Sequence, residues 1–197
     1  MNNLIVFVKN PEKGKVKTRL AKSIGNDKAL LVYKQLLEKS KSEVLGVDAK
    51  RFLFYSDDVN LSDDWGNSQF IKRKQFQGNL GERIIHAFEA CFAENFDSTI
   101  IIGSDCYDLT SSIIQKAFMA LKKNDLVIGP ANDGGYYLLG INKPNQELFE
   151  GIDWSTEKVF DQTLQIAKHK KMTYQILEEL IDLDTFEDLK KSSFPNL

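Results

Sequence analysis

Short apolar runs alternate along the chain with longer segments whose apolar residues recur every three or four positions, and no boundary or internal repeat interrupts the pattern. The short runs predict buried strands and the longer ones amphipathic helices, because side chains repeat every second residue on a strand and every 3.6 on a helix. Leu4–Val8 reads as the first strand, a lysine-rich loop follows, and Asn26–Lys41 reads as a helix with Leu30, Tyr33, Leu36 and Leu37 on one face. Arg51–Tyr55 is the second predicted strand. The stretch Ser56–Gly66 holds Asp57, Asp58, Asp63 and Asp64 and little apolar content, so it reads as a solvated loop before a weak strand at Phe70–Lys74.

A helix is expected from Leu80 to about Asn95, its inner face marked by Ile84, Ile85, Phe88, Cys91 and Phe92. The β-branched run Thr99–Ile102 is a strand that stops at Gly103-Ser104-Asp105-Cys106. Thr110 suits the N-cap of a helix through Leu121, and Leu126–Gly129 is the next strand. Asp133-Gly134-Gly135 resembles a hairpin turn leading into a strand at Tyr136–Gly140. Ser155 suits the cap of a helix to about Lys170, Met172–Leu177 reads as the last strand, and Thr185 and Asp188 have the spacing of a capping box opening a short helix. Strands alternating with helices predict a layered α/β domain. At 197 residues, 42% of them hydrophobic, the chain is long enough for one sizeable core and short for two, so a single domain over residues 1–197 is expected.

Composition narrows the function classes. A net charge of −2 and a pI near 5.8 give no global attraction for nucleic acid or an anionic membrane. The two cysteines, Cys91 and Cys106, form no Cys-x-x-Cys metal motif or disulfide framework, which favours a reducing compartment. Leu4–Val8 lacks the length of a signal-peptide core, and no run approaches the roughly 18 apolar residues of a membrane span, so a cytoplasmic location is expected.

Charge is concentrated locally instead. The segment Lys9 to Leu20 sets four lysines and Arg19 against Glu12 directly after the first strand, an anion-binding composition in which Gly14 would let backbone approach a ligand. It lacks the glycine spacing of a Walker loop, so a P-loop enzyme is not indicated. Gln77-Gly78-Asn79-Leu80-Gly81-Glu82-Arg83 places two glycines and polar side chains at a helix start, where free N–H groups favour a polar or negative ligand; an ordinary turn before a helix would read the same way. Asp105 ends a strand where α/β sheets bind ligands. A carboxylate sharing a crevice with phosphate needs a mediating cation, which points to Mg2+ or Mn2+ held by Asp105 with Asp184 as a distant partner; capping of the last helix is the alternative role for Asp184. Asp108 ranks below Asp105, because it could simply organise the turn. Asp133 could act as a base or orient an acceptor hydroxyl, and Tyr136 and Trp154 could stack on a ring. His86, His169 and Cys106 have no partners in the sequence that would make them reactive.

These residues together carry a resemblance. Phe7-Val8-Lys9-Asn10-Pro11, Gly14, Lys17-Thr18-Arg19-Leu20, Gly81-Glu82-Arg83, Ile102-Gly103-Ser104-Asp105-Cys106, Gly129-Pro130, Asp133-Gly134-Gly135-Tyr136-Tyr137, Trp154-Ser155-Thr156 and Asp182-Leu183-Asp184-Thr185 span nearly the whole chain in an order that resembles the bacterial DUF2064 family. The family is a glycosyltransferase-like group associated with radical-SAM gene clusters. Resemblance implies a three-layer α/β/α, Rossmann-like GT-A or nucleotide-diphospho-sugar transferase fold with a mixed, mainly parallel sheet, shared with molybdenum-cofactor and phospholactate guanylyltransferases. It also implies that Lys9, Lys17 and Arg19 lie over nucleotide phosphates with Gly14 and Ser104 nearby, that Gln77, Gly78 and Gly81 line the base or ribose, and that Asp105 and Asp184 hold the metal. The family usually has proline after Ser-Asp-Cys, where this chain has Tyr107, which leaves Asp105 in place but unsettles the turn around Asp108.

The expected activity is therefore metal-dependent transfer of a sugar from a nucleotide-diphosphate sugar to a small-molecule acceptor, with Asp133, Lys17 and Arg19 as catalytic candidates. Nucleotidyl transfer from a nucleoside triphosphate to a phosphorylated substrate is the main alternative, and a non-catalytic nucleotide-binding module is a third, since fold alone does not fix function.

Overall fold

The computed structural model describes residues 2–94 and 98–195. Seven strands form one sheet: β1 (Asn2–Val8), β2 (Lys50–Tyr55), β3 (Ile71–Lys74), β4 (Ser98–Ile102), β5 (Leu126–Pro130), β6 (Tyr136–Ile141) and β7 (Tyr174–Ile176), in the order β3-β2-β1-β4-β6-β5-β7. Every pairing is parallel except the two made by β6, which runs antiparallel to β4 and to β5. The result is the mixed, mainly parallel sheet that the family resemblance implies, within the layered α/β arrangement that the strand–helix alternation predicts.

Helices cover both faces, which is why the central strands read as continuous apolar runs. On one face, Leu4, Val6, Ile100 and Ile102 pack against α1 (Thr18–Ile24), α2 (Asn26–Leu45) and α4 (Ser111–Leu121) through Leu20, Val32, Leu36 and Ile114. On the other, Ile5, Phe52, Ile101 and Leu139 pack against α3 (Leu80–Phe92) and α5 (Val159–His169) through Ile84, Phe88, Cys91 and Ala167. The last helix, α6 (Phe186–Lys191), lies near α1.

Four expectations about the elements need correction. The basic segment is not loop throughout: Thr18, Arg19 and Leu20 open α1, whose seven residues are too few to show a helical repeat but bury Leu20 completely. The second helix runs past Lys41 to Leu45, its inner face continued by Val44. Ser155 caps nothing, since it has a φ of 64° and α5 starts only at Val159, with Lys158 at the N-cap. The final strand contracts to Tyr174–Ile176, and Asn95, the expected end of α3, lies outside the described residues. The caps at Thr110 and Thr185 form as read, the latter a full capping box with Asp188.

Candidate active site

Parallel β1 and β4 end side by side, and antiparallel β6 begins at the same rim, so Lys9, Gly103-Ser104-Asp105 and Tyr136 converge there. They border a cavity of about 540 Å³ that is also lined by Tyr33, Ser56, Gln75, Asn79, Arg83 and Trp154. Tyr33 fixes its first wall: its hydroxyl accepts from the Lys9 amide at 2.8 Å and donates to the Lys9 carbonyl at 3.1 Å, pinning the chain where it leaves β1. Burial, reinforced by the nearby Asp105 charge, pushes the Tyr33 phenol up, so it stays a neutral donor.

At the acidic end of the site, Lys17 precedes α1 with a φ of 47°, a left-handed conformation uncommon for a side-chain-bearing residue. This backbone turn carries its ammonium inward, where it is only 4% exposed and stands 2.8 Å from Asp105 Oδ1. That oxygen is buried and receives no aligned hydrogen bond, so the Lys17 charge is what compensates it.

Asp184 reaches the same region because the chain after β7 is stitched across the rim. The Leu180 amide donates to the Pro130 carbonyl, the Asp182 amide to Asn132 Oδ1 at 2.9 Å, and the Leu183 amide to the Asp105 carbonyl at 3.0 Å. Asp184 Oδ2 then lies 3.1 Å from Arg19, which is otherwise well exposed. Asp182, to which the sequence pattern assigns no role, sits within this cluster. Burial first, then Asp105, push its carboxyl up to about 7; Lys17 opposes the shift, and Asp133 and Asp184 add to it.

The expected site residues divide accordingly. Lys9, Ser104, Asp105, Tyr136 and Trp154 border the cavity, while Lys17, Asp133 and Asp184 lie close enough to act on Asp182, and Arg19 pairs with Asp184. Gly14 lies in an exposed turn between Glu12 and Lys15, away from the cavity lining. Gln77 and Gly78 do not line the cavity either: the Gly78 carbonyl accepts from Arg83 Nε, and the polar wall is supplied by Gln75 and Asn79 instead. Gln75 sits on the chain continuing from β3 and donates to the Phe54 carbonyl at 3.0 Å; as one amide among the polar residues after a weak strand, it carried no distinguishing pattern. Gly81 contributes indirectly, because a Cβ there would lie 2.4 Å from Trp154 Nε1, so its bare backbone makes room for the indole. Asp133 Oδ1 accepts from the Gly135 amide, leaving the exposed carboxylate oriented by its own turn. The Cys106 thiol is buried and pushed up to about 12, chiefly by desolvation, which suits a structural role.

The cluster suits a divalent cation on two counts: Asp105 Oδ1 is buried with the Lys17 ammonium beside it but no aligned donor, and the Asp105, Asp133 and Asp184 charges add to the burial that chiefly raises Asp182. Among the described residues, no three His, Cys, Asp or Glu side chains are arranged as a complete cage. Magnesium commonly takes one or two protein carboxylates and fills its shell with water and substrate phosphate.

Comparison with known proteins places the chain. The family model for DUF2064, described as an uncharacterized protein conserved in bacteria, matches residues 43–156, more than half of the chain. A solved protein from Desulfovibrio desulfuricans G20, provisionally named a nucleotide-diphospho-sugar transferase, shares 32% identity, with 98% of this chain and 89% of that one covered and a TM-score of 0.86. The 4-diphosphocytidyl-2C-methyl-D-erythritol synthase of Anaerococcus prevotii DSM 20548 superposes with a TM-score of 0.61 at 11% identity over 96% of this chain and 93% of that one. The inositol-1-phosphate CTP transferase of T. maritima does so with a TM-score of 0.56 at 13% identity, over 96% and 91%. These last two share the fold. No curated protein matches the sequence. The chain belongs to the DUF2064 family and has the nucleotide-diphospho-sugar transferase fold.

Proposed function

We propose that this DUF2064 protein is a transferase that binds a nucleotide-diphosphate sugar and passes the glycosyl group to a hydroxyl of a small-molecule acceptor. The observation that carries the reading is the inward-turned Lys17 ammonium, held against Asp105 at the end of β4 beside a cavity large enough for a nucleotide sugar. The relative from D. desulfuricans supports the donor class by its name and its 32% identity.

In the reaction, the acceptor oxygen forms a bond to the anomeric carbon as the bond from that carbon to the diphosphate oxygen breaks. Lys17 and Arg19 face the departing diphosphate and offset its charge. The acceptor proton passes to a carboxylate, for which Asp133 is the candidate at the rim of the turn. Asp105 and Asp184 would hold Mg2+ or Mn2+, which would supply charge neutralisation for phosphate. Ser104 and Lys9 border the donor, and Trp154 offers a face for a sugar ring.

Among the described residues no helix is long and apolar enough to cross a membrane. Nucleotidyl transfer is the second reading, favoured by the four lysines between β1 and α1, which suit a triphosphate at least as well as a diphosphate.

Thermal unfolding with nucleotide-diphosphate sugars and nucleoside triphosphates, each with and without Mg2+ or Mn2+, separates the two, because a ligand that binds the folded state raises the midpoint. A metal-dependent rise confined to diphosphate sugars is expected. A rise confined to triphosphates, with pyrophosphate released on turnover, would replace sugar transfer by nucleotidyl transfer. Asp105→Asn should lower turnover by about 100-fold or more, in the range of losing a charge-stabilising group; turnover at the unaltered level would remove the metal role given to Asp105.

A further inference from the structure

The β5–β6 hairpin contains an irregularity beside the cavity, which both Tyr136 and Tyr137 border, and it decides which side of the sheet each tyrosine takes. Gly129 pairs with Leu138 but Pro130 pairs with Tyr136, so Tyr137 is an extra residue on β6, a β-bulge. Regular alternation would put Tyr136 on the same face as Leu138. The bulge breaks that parity. Tyr137 and Leu138 both join the core beneath α2 and α4, and Tyr136 turns to the opposite side of the sheet, among the residues packed with α3 and α5.

Each tyrosine then meets a different fate. The Tyr137 ring lies over Gly129, where a Cβ would come within 2.4 Å of Cζ, and its hydroxyl donates to the Glu178 carbonyl at 3.0 Å. Tyr136 borders the cavity with Trp154, and its hydroxyl is buried without any hydrogen-bond partner. Burial alone raises the phenol, so it is a neutral O–H at any ordinary pH. A buried hydroxyl left unpaired is costly to the folded protein, and one carried by a residue at the cavity wall is accounted for when a bound ligand, with a small shift of the ring, completes the bond.

We infer that Tyr136 is a specificity-determining residue whose hydroxyl hydrogen-bonds an oxygen of the glycosyl unit of the donor while Trp154 receives the ring face. The assignment rests on the sugar-nucleotide reading above and adds which atom distinguishes a nucleotide sugar from the bare nucleotide. The cavity lining mixes apolar Leu80, Ile84 and Ile101 with polar side chains, and the Tyr136 phenol is the lining hydroxyl that is buried and without a hydrogen-bond partner.

The test is Tyr136→Phe, which deletes one oxygen and keeps the ring. Affinities of the unaltered protein and the variant are measured by calorimetry in Mg2+ for three pairs: UDP-glucose and UDP, GDP-mannose and GDP, dTDP-glucose and dTDP. Unfolding midpoints are taken without ligand. The variant is expected to lose about tenfold in affinity for the sugar nucleotide that the unaltered protein binds and to hold the matching diphosphate equally well. Its ligand-free midpoint is expected to rise by about 2–4 °C, because the unpaired hydroxyl is gone. Equal loss for both members of a pair, or no loss for either, overturns the assignment, as does a lower midpoint, which would mean the hydroxyl is already satisfied. If the unaltered protein binds a diphosphate but gains nothing from its sugar, the assignment fails while nucleotide binding stands. If it binds none of the six, the donor reading fails and takes the assignment with it.

Discussion

Several side chains at this site are positioned by what neighbouring residues lack. The Trp154 indole occupies the space a side chain at residue 81 would fill, with Nε1 only 2.4 Å from an ideal Cβ. Gly81→Ala therefore separates local stability from site geometry. In the first turn of α3, alanine is favoured over glycine by up to about 1 kcal/mol, which offsets part of the strain. The indole, however, must move. The expected result is an unfolding midpoint within a few degrees of the original, a shifted tryptophan emission, and affinity for a nucleotide sugar lowered by about tenfold. Unchanged emission with unchanged affinity would mean that Trp154 relaxes without cost or that the ligand does not use it. Trp65 provides the internal reference, since it is buried against Phe70 with ring centroids 5.0 Å apart.

Among the elements, α6 has no buried residue of its own, yet it secures the strand-end carboxylates. Its capping box joins Thr185 to Asp188, and Asp188 Oδ1 also accepts from Asn132 Nδ2 at 3.1 Å, which ties the helix start to the β5–β6 turn. The Leu183 amide bond to Asp105 lies between those anchors. Thr185→Ala should lower stability by about 1 kcal/mol, a usual value for a lost cap. It should also speed hydrogen exchange at the Leu183 amide more than at the β1 amides. Uniform acceleration throughout the chain would show that the segment carrying Asp182 and Asp184 opens only with the whole protein.

The same elements show what could be read before folding. The capping box, the Thr110 cap and the apolar strands were legible because their signals are local and periodic. Asp105 was legible because a carboxylate interrupts a β-branched run. Asp182 was not: two residues from Asp184, it has no spacing that distinguishes it, and its perturbed carboxyl comes from burial beside Asp105, 77 positions away in the chain. The bulge at Tyr137 was equally hidden, since it is a relation between two strands and Tyr136-Tyr137 alone reads as simple alternation. Short α1 reads as loop because about two turns after a lysine-rich stretch are too few to show a helical repeat, even though Leu20 is buried.

At the scale of the whole molecule, the acidic cluster links stability to pH. The Asp182 carboxyl titrates near 7 in the folded protein, against 3.8 for an ordinary aspartate. Between those values the folded state holds a proton that the unfolded chain has released, so stability must fall as pH rises through that window. The carboxylates with lowered values, Glu43, Asp58, Asp125 and Asp188, act in the opposite sense, but they do so below the ordinary values of 4.5 for Glu43 and 3.8 for the aspartates and so add little slope from pH 5 upward. Urea unfolding in metal-free buffer should therefore give a higher midpoint at pH 5 than at pH 8, and Asp182→Asn should flatten that slope, because the amide is neutral at both. Mg2+ should restore stability selectively at pH 8, where the cluster carries its full negative charge and a cation has most to neutralise. A variant with the same slope as the unaltered protein would locate the pH dependence elsewhere; Mg2+ acting equally at both pH values would separate cation binding from the charge state of this cluster.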